Sequence, residues 1–588
     1  MSLTDTLKAL PEHIQAAYET PIGGAADTAG LGAIGLAALA SSPMFLGLPP
    51  FAPAALAGLG SGWLAHRLSN GWRDRSLLNS QLNITSADLP EVPPDESGVL
   101  LGYTTDDGRA LRLPYDGLTR HGLIVGQSGV GKTVAGSLML FQQVQRGGGL
   151  LFVDGKVDAD NLRMIYQYAA WCGRAHDVLV INPGDPSRSN TYNPALYGDP
   201  DEVASRILST IPSTESNAGA DFYKQASLQG LVTLVGALQR AGLAYHVMDL
   251  SILLTNPYAL ADLEKKVNSV AAGSFEARNL SLFLEQFKVS TKPGVAATID
   301  MKKVKDIFGG IGGRLFTFGT GNFGKVMNTY DPDVNLFEAI RNNKIIYCAL
   351  PTMGKAESAK NFGKILLGDL RTAVSWIQSL PVPERPWPPF MSFLDEFGSY
   401  ATPAVQTLFE QARSAHVFMM PAVQTLANIK AVSPELSEMV VGNTWTKIFF
   451  KLGTQETAEE AADLIGMTKV AAKSLSYSSN QSSSASYLKT TPDSNKGDGG
   501  GFSYSEREDE DYRVSPDDLK ALGKNGECIV TYGGDAIYNI RVPMMKLTAA
   551  AMKELGEPTI NRKRPAFVKG ADFLKNADRY MTKGDLDE

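Results

Sequence analysis

GQSGVGKT, residues 126–133, fits the phosphate-binding pattern G-x-x-x-x-G-K-[S/T] and indicates the class of fold. The apolar run before it, 121–125, predicts a buried strand, and the apolar spacing of 133–145 predicts a helix. A strand, a glycine loop and a helix N-terminus direct several backbone N–H groups and the positive end of a helix dipole to one point. The sequence therefore predicts a site for a nucleoside triphosphate at this turn.

Within this loop, two side chains have distinct expected roles. The Lys132 ammonium is expected to reach the β and γ phosphates, and the Thr133 hydroxyl is expected to hold Mg²⁺. The predicted nucleotide-binding residues are Gly126, Gln127, Ser128, Gly129, Val130, Gly131, Lys132 and Thr133.

A second motif, FMSFLDEFGS at 390–399, is an apolar run that ends in two carboxylates. Asp395 is expected to hold Mg²⁺ through water, and Glu396 is expected to orient or polarise the water that attacks the γ phosphate. The next strand-like run, 416–423, ends at Gln424. A neutral polar side chain beside the acidic strand is well placed to sense the γ phosphate, and the alternative is a glutamine that only begins a turn.

Length and composition narrow the class of protein. A chain of 588 residues exceeds one hydrophobic core, so two or more domains are expected. The net charge of −7 argues against a uniformly basic nucleic-acid coat. Cys172, Cys348 and Cys528 lie far apart without a C-x-x-C pair, which is typical of a reducing compartment and predicts neither structural zinc nor a disulfide framework.

The N-terminal region differs in composition from the rest. Residues 23–66 hold two apolar, Ala- and Gly-rich stretches around a proline-rich turn, and basic residues follow them. This pattern predicts a transmembrane helical hairpin with both ends in the cytoplasm, preceded by a cytoplasmic segment at 1–22 and followed by a linker at 67–95. A secretory signal and a buried soluble hairpin are the alternatives.

The remaining chain alternates strand-like and helix-like segments around a long helical stretch. The alternation predicts an α/β nucleotide-binding domain with a mostly parallel sheet, built from 96–198 and 312–545. An inserted all-α domain is expected at 199–311 and a flexible loop at 476–511. The tail, 546–588, is interpreted as a frayed terminus in preference to a docking segment.

Several motifs, in this order along the chain, resemble those of the conjugative coupling proteins of type IV secretion, the TraD/TraG/TrwB-like ATPases. The resemblance covers roughly residues 95 to 545, and the N-terminal hairpin matches the membrane anchor of that family. The motifs are RHGLIVGQSGVGKT (120–133), FVDGK (152–156), YNP (192–194), KIIYCALP (344–351), FLDEFGS (393–399) and the segments 412–425 and 448–466.

The resemblance implies a hexameric, RecA/FtsK-like P-loop motor that uses ATP and Mg²⁺. It implies a homo-oligomer at the bacterial inner membrane, with the bulk of the chain in the cytoplasm, that works with type IV secretion channel proteins. Its cargo would be a relaxase with single- or double-stranded DNA, or protein effectors. Glu396, Gln424 and Arg413 match catalytic positions of the family, and Arg413 lies where the family has an arginine finger that reaches the neighbouring subunit. The alternative for Arg413 is a solvated position on a helix.

Other functions stay open beside this one. The chain could be a membrane-anchored receptor for protein effectors in which ATP serves assembly, or an FtsK/HerA-like DNA pump outside conjugation. An ABC-type transporter is disfavoured, because no LSGGQ-like signature lies between the two nucleotide motifs. The basic run at 301–305 is a candidate contact for DNA backbone, with a solvated helix face as the alternative.

Overall fold

The computed structural model describes residues 83–84, 98–106, 108–114, 117, 119–211, 218–290, 297–352, 354, 356–480, 499–523, 525–534 and 536–582. The predicted segment 1–22 and membrane hairpin 23–66 lie outside the described residues, as does the linker 67–95 apart from one short strand. Across the ranges that are described, no helix combines the length and the apolar character needed to cross a membrane.

The central element is a sheet that runs through the nucleotide-binding domain. The strands, in chain order, are β1 (Asn83–Ile84), β2 (Val99–Thr104), β3 (Ala110–Leu113), β4 (Gly122–Val125), β5 (Leu150–Asp154), β6 (Val178–Ile181), β7 (Lys288–Val289), β8 (Thr298–Ile299), β9 (Ile345–Ala349), β10 (Phe390–Leu394), β11 (Val417–Val423), β12 (Thr446–Phe450), β13 (Met467–Asn480), β14 (Gly499–Tyr512), β15 (Glu527–Tyr532), β16 (Ala536–Arg541) and β17 (Lys546–Leu547). Eleven of them form one sheet in the order β3-β2-β16-β15-β12-β4-β11-β10-β5-β9-β6.

The mode of strand pairing changes once along this sheet, from parallel to antiparallel. From β12 to β6 all neighbours are parallel, whereas β12, β15, β16, β2 and β3 pair antiparallel. The β15–β16 connection is a tight turn through Gly533 and Gly534, with φ of 67° and 86°, and such a short turn can only join antiparallel strands. The predicted mostly parallel sheet is confirmed from β12 to the edge strand β6, and the remaining pairs are antiparallel.

Helices cover both faces of the sheet. The helices are α1 (Lys132–Gln145), α2 (Ala159–Trp171), α3 (Pro200–Leu208), α4 (Ala218–Arg240), α5 (Val247–Thr255), α6 (Pro257–Ala271), α7 (Phe275–Glu285), α8 (Met301–Gly319), α9 (Gly321–Met327), α10 (Leu336–Arg341), α11 (Ala356–Ser379), α12 (Gln406–Gln411), α13 (Ala427–Lys430), α14 (Pro434–Asn443), α15 (Gln455–Ile465), α16 (Pro516–Ala521), α17 (Ala549–Leu555) and α18 (Ala577–Thr582). Alternate residues of β5 enter different cores: Leu151 and Val153 pack in one, and Leu150 and Phe152 pack in the other. A strand buried on both faces accounts for its continuous apolar run.

The helical insertion extends further than predicted. The expected boundary between 311 and 312 falls inside α8, which is a continuous helix. The boundary is wrong because the apolar stripe of α8 continues through it, with Phe308, Ile311, Leu315 and Phe318 all buried at helical spacing. The region is also not purely helical, since β7 and β8 form a small antiparallel pair within it.

The predicted flexible loop at 476–511 is wrong at both ends. β13 and β14 pair antiparallel from Met467 opposite Tyr512 to Asn480 opposite Gly499, and residues 481–498 lie outside the described residues. The Ser- and Gly-rich composition indicated mobility, but backbone pairing between two segments satisfies N–H and C=O groups whatever the side chains are.

The tail is not a frayed terminus. Its residues 549–582, here called the C-terminal strap, first follow the sheet edge, where the Asn561 amide donates to the carbonyls of Ala175 (2.8 Å) and Val178 (3.2 Å). Further along, a bridge joins Gly570 to Ala244 in the helical region, and Phe573 is completely buried. The prediction was wrong because contacts with distant segments, rather than local composition, hold the strap in place.

Candidate nucleotide-binding site

The predicted site residues follow the carboxyl ends of neighbouring parallel strands. β4 leads into the glycine loop, β11 ends before Gln424, and β10 ends before Asp395 and Glu396. β4 pairs with β11, and β11 with β10, so the three strand ends are adjacent. The crevice at the carboxyl ends of such strands is where open α/β sheets bind their ligands.

The glycines of the loop are required by its backbone. Gly129 and Gly131 have φ of 82° and 119°, a region that residues with a side chain rarely adopt. A Cβ on Gly126 would lie 2.6 Å from the Cβ of Phe450, so the loop approaches β12 too closely for any side chain. The amide of Gly126 donates to the carbonyl of Val423 at 3.1 Å, which ties the loop to the neighbouring strand.

Lys132 is buried at the start of α1 and folds back on the loop. The residue is 4% exposed, and its ammonium donates to the carbonyl oxygens of Gly126 and Gln127, the latter at 2.9 Å. Burial lowers the pKa of Lys132, and the opposing charge of Glu396 counteracts this effect. Thr133, the next residue, is half-buried, whereas Gln127, Ser128 and Gly129 are exposed at the tip of the loop and Val130 is half-buried.

Asp395 has a carboxylate oxygen to which no group of the described part of the chain donates a hydrogen bond. The residue is 2% exposed, and among the described residues no group donates to its buried Oδ2. Its Oδ1 accepts the amide of Glu396 at 3.1 Å. Burial raises the pKa of Asp395 to about 6. A buried carboxylate oxygen without a donor is costly unless a cation binds it, so Asp395 has the chemistry of a Mg²⁺ ligand.

The carboxylate of Glu396 is bound by side chains that follow the two strands beside β10. Gln424 donates its amide to Glu396 Oε1 (3.0 Å) and Oε2 (3.2 Å), and the Lys156 ammonium lies 2.9 Å from Oε1. Burial disfavours the ionised form of Glu396, but the hydrogen bonds from Gln424 and Lys156 and the charges of Lys156 and Lys132 outweigh it and lower its pKa. The backbone of Glu396 is left-handed, with φ of 51°, a strained conformation typical of functional positions.

Arg413 is not brought to this cluster. It is exposed and precedes the first residue of β11, whereas Gln424 follows the last. At roughly 3.3 Å per residue, β11 separates the two positions by about 20 Å. Arg413 instead lines a surface groove of about 790 Å³ with Trp387, Arg385 and His416.

Sequence reasoning missed two contributors to the site. Lys156 follows β5, the other neighbour of β10, and its position after a strand-end acidic residue was the available signal. Gly526 precedes β15, and its amide donates to the carbonyl of Val130 at 3.0 Å. No local signal in the sequence indicates this second contact, because Gly526 lies far along the chain from the loop.

Part of this chain is similar to known proteins. Residues 389–524, which include Asp395 and Glu396, match the family described as the TraM recognition site of TraD and TraG. The type 4 coupling protein DotL of Legionella pneumophila is 25% identical over 393 residues, which cover 60% of this chain and 49% of DotL. The chain therefore spans about half the length of this curated relative.

Solved structures share the fold. The bacterial conjugative coupling protein TrwBdeltaN70, in its unbound monoclinic form, is similar with a TM-score of 0.50 and 16% identity over 80% of this chain and 91% of that chain. The plasmid coupling protein TrwB in complex with the non-hydrolysable ATP analogue ADPNP gives a TM-score of 0.50 and 16% identity over 80% and 92%. The family match over residues 389–524 and the relative DotL show that this chain is similar to type IV coupling proteins, and the solved structures show a shared fold.

Proposed function

We propose that the protein is an ATP hydrolase that delivers cargo to a type IV secretion channel. The observation that supports this best is the cluster at the carboxyl ends of β4, β10 and β11. There, a phosphate-binding loop with a buried lysine lies beside Asp395, whose Oδ2 has no donor among the described residues, and Glu396, which is kept ionised by its neighbours.

Each residue has a proposed task in hydrolysis. The loop amides and the N-terminus of α1 bind the phosphates, and the Lys132 ammonium exchanges the loop carbonyls for phosphate oxygens. Thr133 and Asp395 would hold Mg²⁺, which supplies neutralisation of the phosphate charge when it is bound. Glu396 orients the attacking water, and Gln424, which now donates to Glu396, links that carboxylate to the γ phosphate.

Assembly completes the proposed site. Because Arg413 lies at the far end of β11 from its own phosphate loop, it is a candidate to act on the nucleotide of a neighbouring copy, as an arginine finger does. We therefore propose a homo-oligomer, a hexamer by resemblance to the family, in which each junction joins one loop to one Arg413.

The proposed cargo is a relaxase–DNA complex, protein effectors or both, and the proposed location is the bacterial inner membrane, with 23–66 as the anchor. The exposed lysines of α8, Lys302, Lys303 and Lys305, are the proposed contact for DNA backbone, and such binding should weaken as salt increases.

Hydrolysis and binding by the full-length chain test the proposal. Lys132→Ala should weaken ADPNP binding and abolish turnover. Glu396→Gln keeps the size of the side chain, so it should bind ADPNP like the wild type and hydrolyse ATP about 100-fold more slowly or worse. Equal turnover of the wild type and Glu396→Gln would remove Glu396 from catalysis. A transfer assay in cells with labelled DNA and labelled protein cargo, using Lys132→Ala as the inactive control, identifies the cargo.

A further inference from the structure

The side chain of Lys156 contacts the carboxylate proposed to orient water. Its ammonium lies 2.9 Å from Glu396 Oε1, and the two side chains are 45% and 15% exposed. Burial disfavours the charged form of Lys156, but the hydrogen bond and the charge of Glu396 outweigh it and raise its pKa, so both partners are ionised. Lys156 belongs neither to the phosphate loop nor to the acidic motif, because it follows a third strand, β5.

The loop that carries Lys156 is organised around Asp154, which is completely buried at the end of β5. The two oxygens of Asp154 accept hydrogen bonds of 2.8 to 3.1 Å from the backbone amides of Lys156, Val157 and Asp158, the side-chain amide of Asn161 and the hydroxyl of Tyr347. This many donors on one carboxylate fix the path of the backbone. Lys156 is therefore placed by a rigid turn, unlike a surface lysine that meets a carboxylate by chance.

The turn also approaches Glu396 as closely as its backbone allows. A Cβ on Gly155 would lie 2.9 Å from the Cβ of Glu396, so only glycine fits there. The hydroxyl of Thr352 donates to the carbonyl of Gly155 at 2.6 Å and fixes it from the side of β9. Val157 has φ of 56°, a strained conformation that lets the chain turn away after Lys156.

We propose that Lys156 is a positioning residue for Glu396. Its ammonium, held by the Asp154 turn, and the Gln424 amide bind the carboxylate from two sides and keep it in one orientation toward the phosphate loop. The inference rests on the proposed ATP hydrolysis. Lys156 takes no part in bond making, so its loss should lower kcat and leave the binding of nucleotide unchanged.

The test compares Lys156→Met and Lys156→Arg in the full-length chain by steady-state ATP hydrolysis. A charge-assisted hydrogen bond of this kind predicts a loss of about 10- to 100-fold in kcat for Lys156→Met, with KM within about twofold. Lys156→Arg keeps the cation and should recover most of the loss. In a Glu396→Gln background, Lys156→Met should cause no further loss, because the carboxylate that it positions is gone.

Lys430→Met is the matched control. Lys430 is 46% exposed and also pairs with a carboxylate, but with that of Glu460 instead of Glu396. Its replacement should change neither kcat nor KM, and the melting temperatures of both Met variants should equal that of the wild type.

Three results would overturn the inference about Lys156 while leaving the proposed function intact, provided that Glu396→Gln is impaired. The first is an unchanged or raised kcat in Lys156→Met. The second is a raised KM with unchanged kcat, which would mean that Lys156 binds phosphate directly. The third is that Lys156→Met lowers kcat as much in the Glu396→Gln background as in the wild type. If Glu396→Gln hydrolyses ATP as fast as the wild type, the proposed catalytic role of Glu396 fails and the inference fails with it.

Discussion

Replacing Phe573 by alanine is expected to release the C-terminal strap from the helical region. The Phe573 ring is completely buried, the Lys266 ammonium lies 4.5 Å from its centroid, and the Tyr580 ring centroid lies 6.3 Å away. Truncation of a buried phenylalanine to alanine costs about 3 to 5 kcal/mol, because apolar burial is lost and a cavity remains. Because Lys266 contacts this same ring, the cost of losing that contact is already included in the range of about 3 to 5 kcal/mol.

Hydrogen–deuterium exchange of peptides covering 569–576 measures this release. Three backbone amides in the segment donate hydrogen bonds to residues outside the strap. They are the amides of Ala571, Asp572 and Leu574, at 2.7, 2.9 and 3.1 Å. At about 1.4 kcal/mol per tenfold change in an equilibrium constant, a loss of 3 kcal/mol should speed their exchange by about 100-fold. Peptides from the central sheet should exchange as in the wild type.

Phe567→Ala is the matched control in the same segment. Phe567 is 101% exposed, so its removal should leave the exchange of 569–576 unchanged. Equal exchange in the wild type and Phe573→Ala would refute the buried position of Phe573. Equal acceleration by both variants would show that the strap responds to any aromatic loss and that the specific pocket is not responsible.

Three further outcomes follow from particular contacts. Arg413→Ala should keep ATP affinity and lose about 10³-fold or more in turnover. Mixtures of this variant with Lys132→Ala should regain activity at junctions where an intact loop meets an intact Arg413. If activity does not recover although the two variants co-assemble, Arg413 acts within its own subunit. Burial, with a smaller effect from the nearby Arg413 charge, lowers the pKa of His121 from 6.5 to about 4, so as pH falls through this window the unfolded chain binds the proton first. The free energy of unfolding should then decrease by up to about 3 kcal/mol, and urea titrations of His121→Asn should show a weaker decrease. The Arg206 side chain is 1% exposed and pairs with Asp369 at 2.9 Å. Arg206→Met should therefore leave the buried carboxylate of Asp369 without its cation and lower the free energy of unfolding by about 3 to 5 kcal/mol, measured by thermal unfolding. An unchanged melting temperature would contradict this pairing.

The features that the sequence predicted correctly are local ones. A strand, a glycine loop and a helix within 121–145 form one unit, and the φ values of Gly129 and Gly131 are those that such a loop needs. Asp395, Glu396 and Gln424 follow apolar runs that are strands, and parallel strands place their carboxyl ends at one edge. Spacing along the chain was therefore enough to predict these elements.

Other features depend on which distant segments meet, and only the tertiary structure decides them. Lys156 reaches Glu396 because β5 lies beside β10, an order that no spacing reveals. Asp395 lacks a donor to Oδ2 among the described residues because of what surrounds it. The strap has the composition of a frayed end, but it is ordered because Phe573 packs beside Lys266, a residue about 300 positions earlier in the chain. Residue type determines what a side chain can do, whereas packing between remote segments determines which partner it meets.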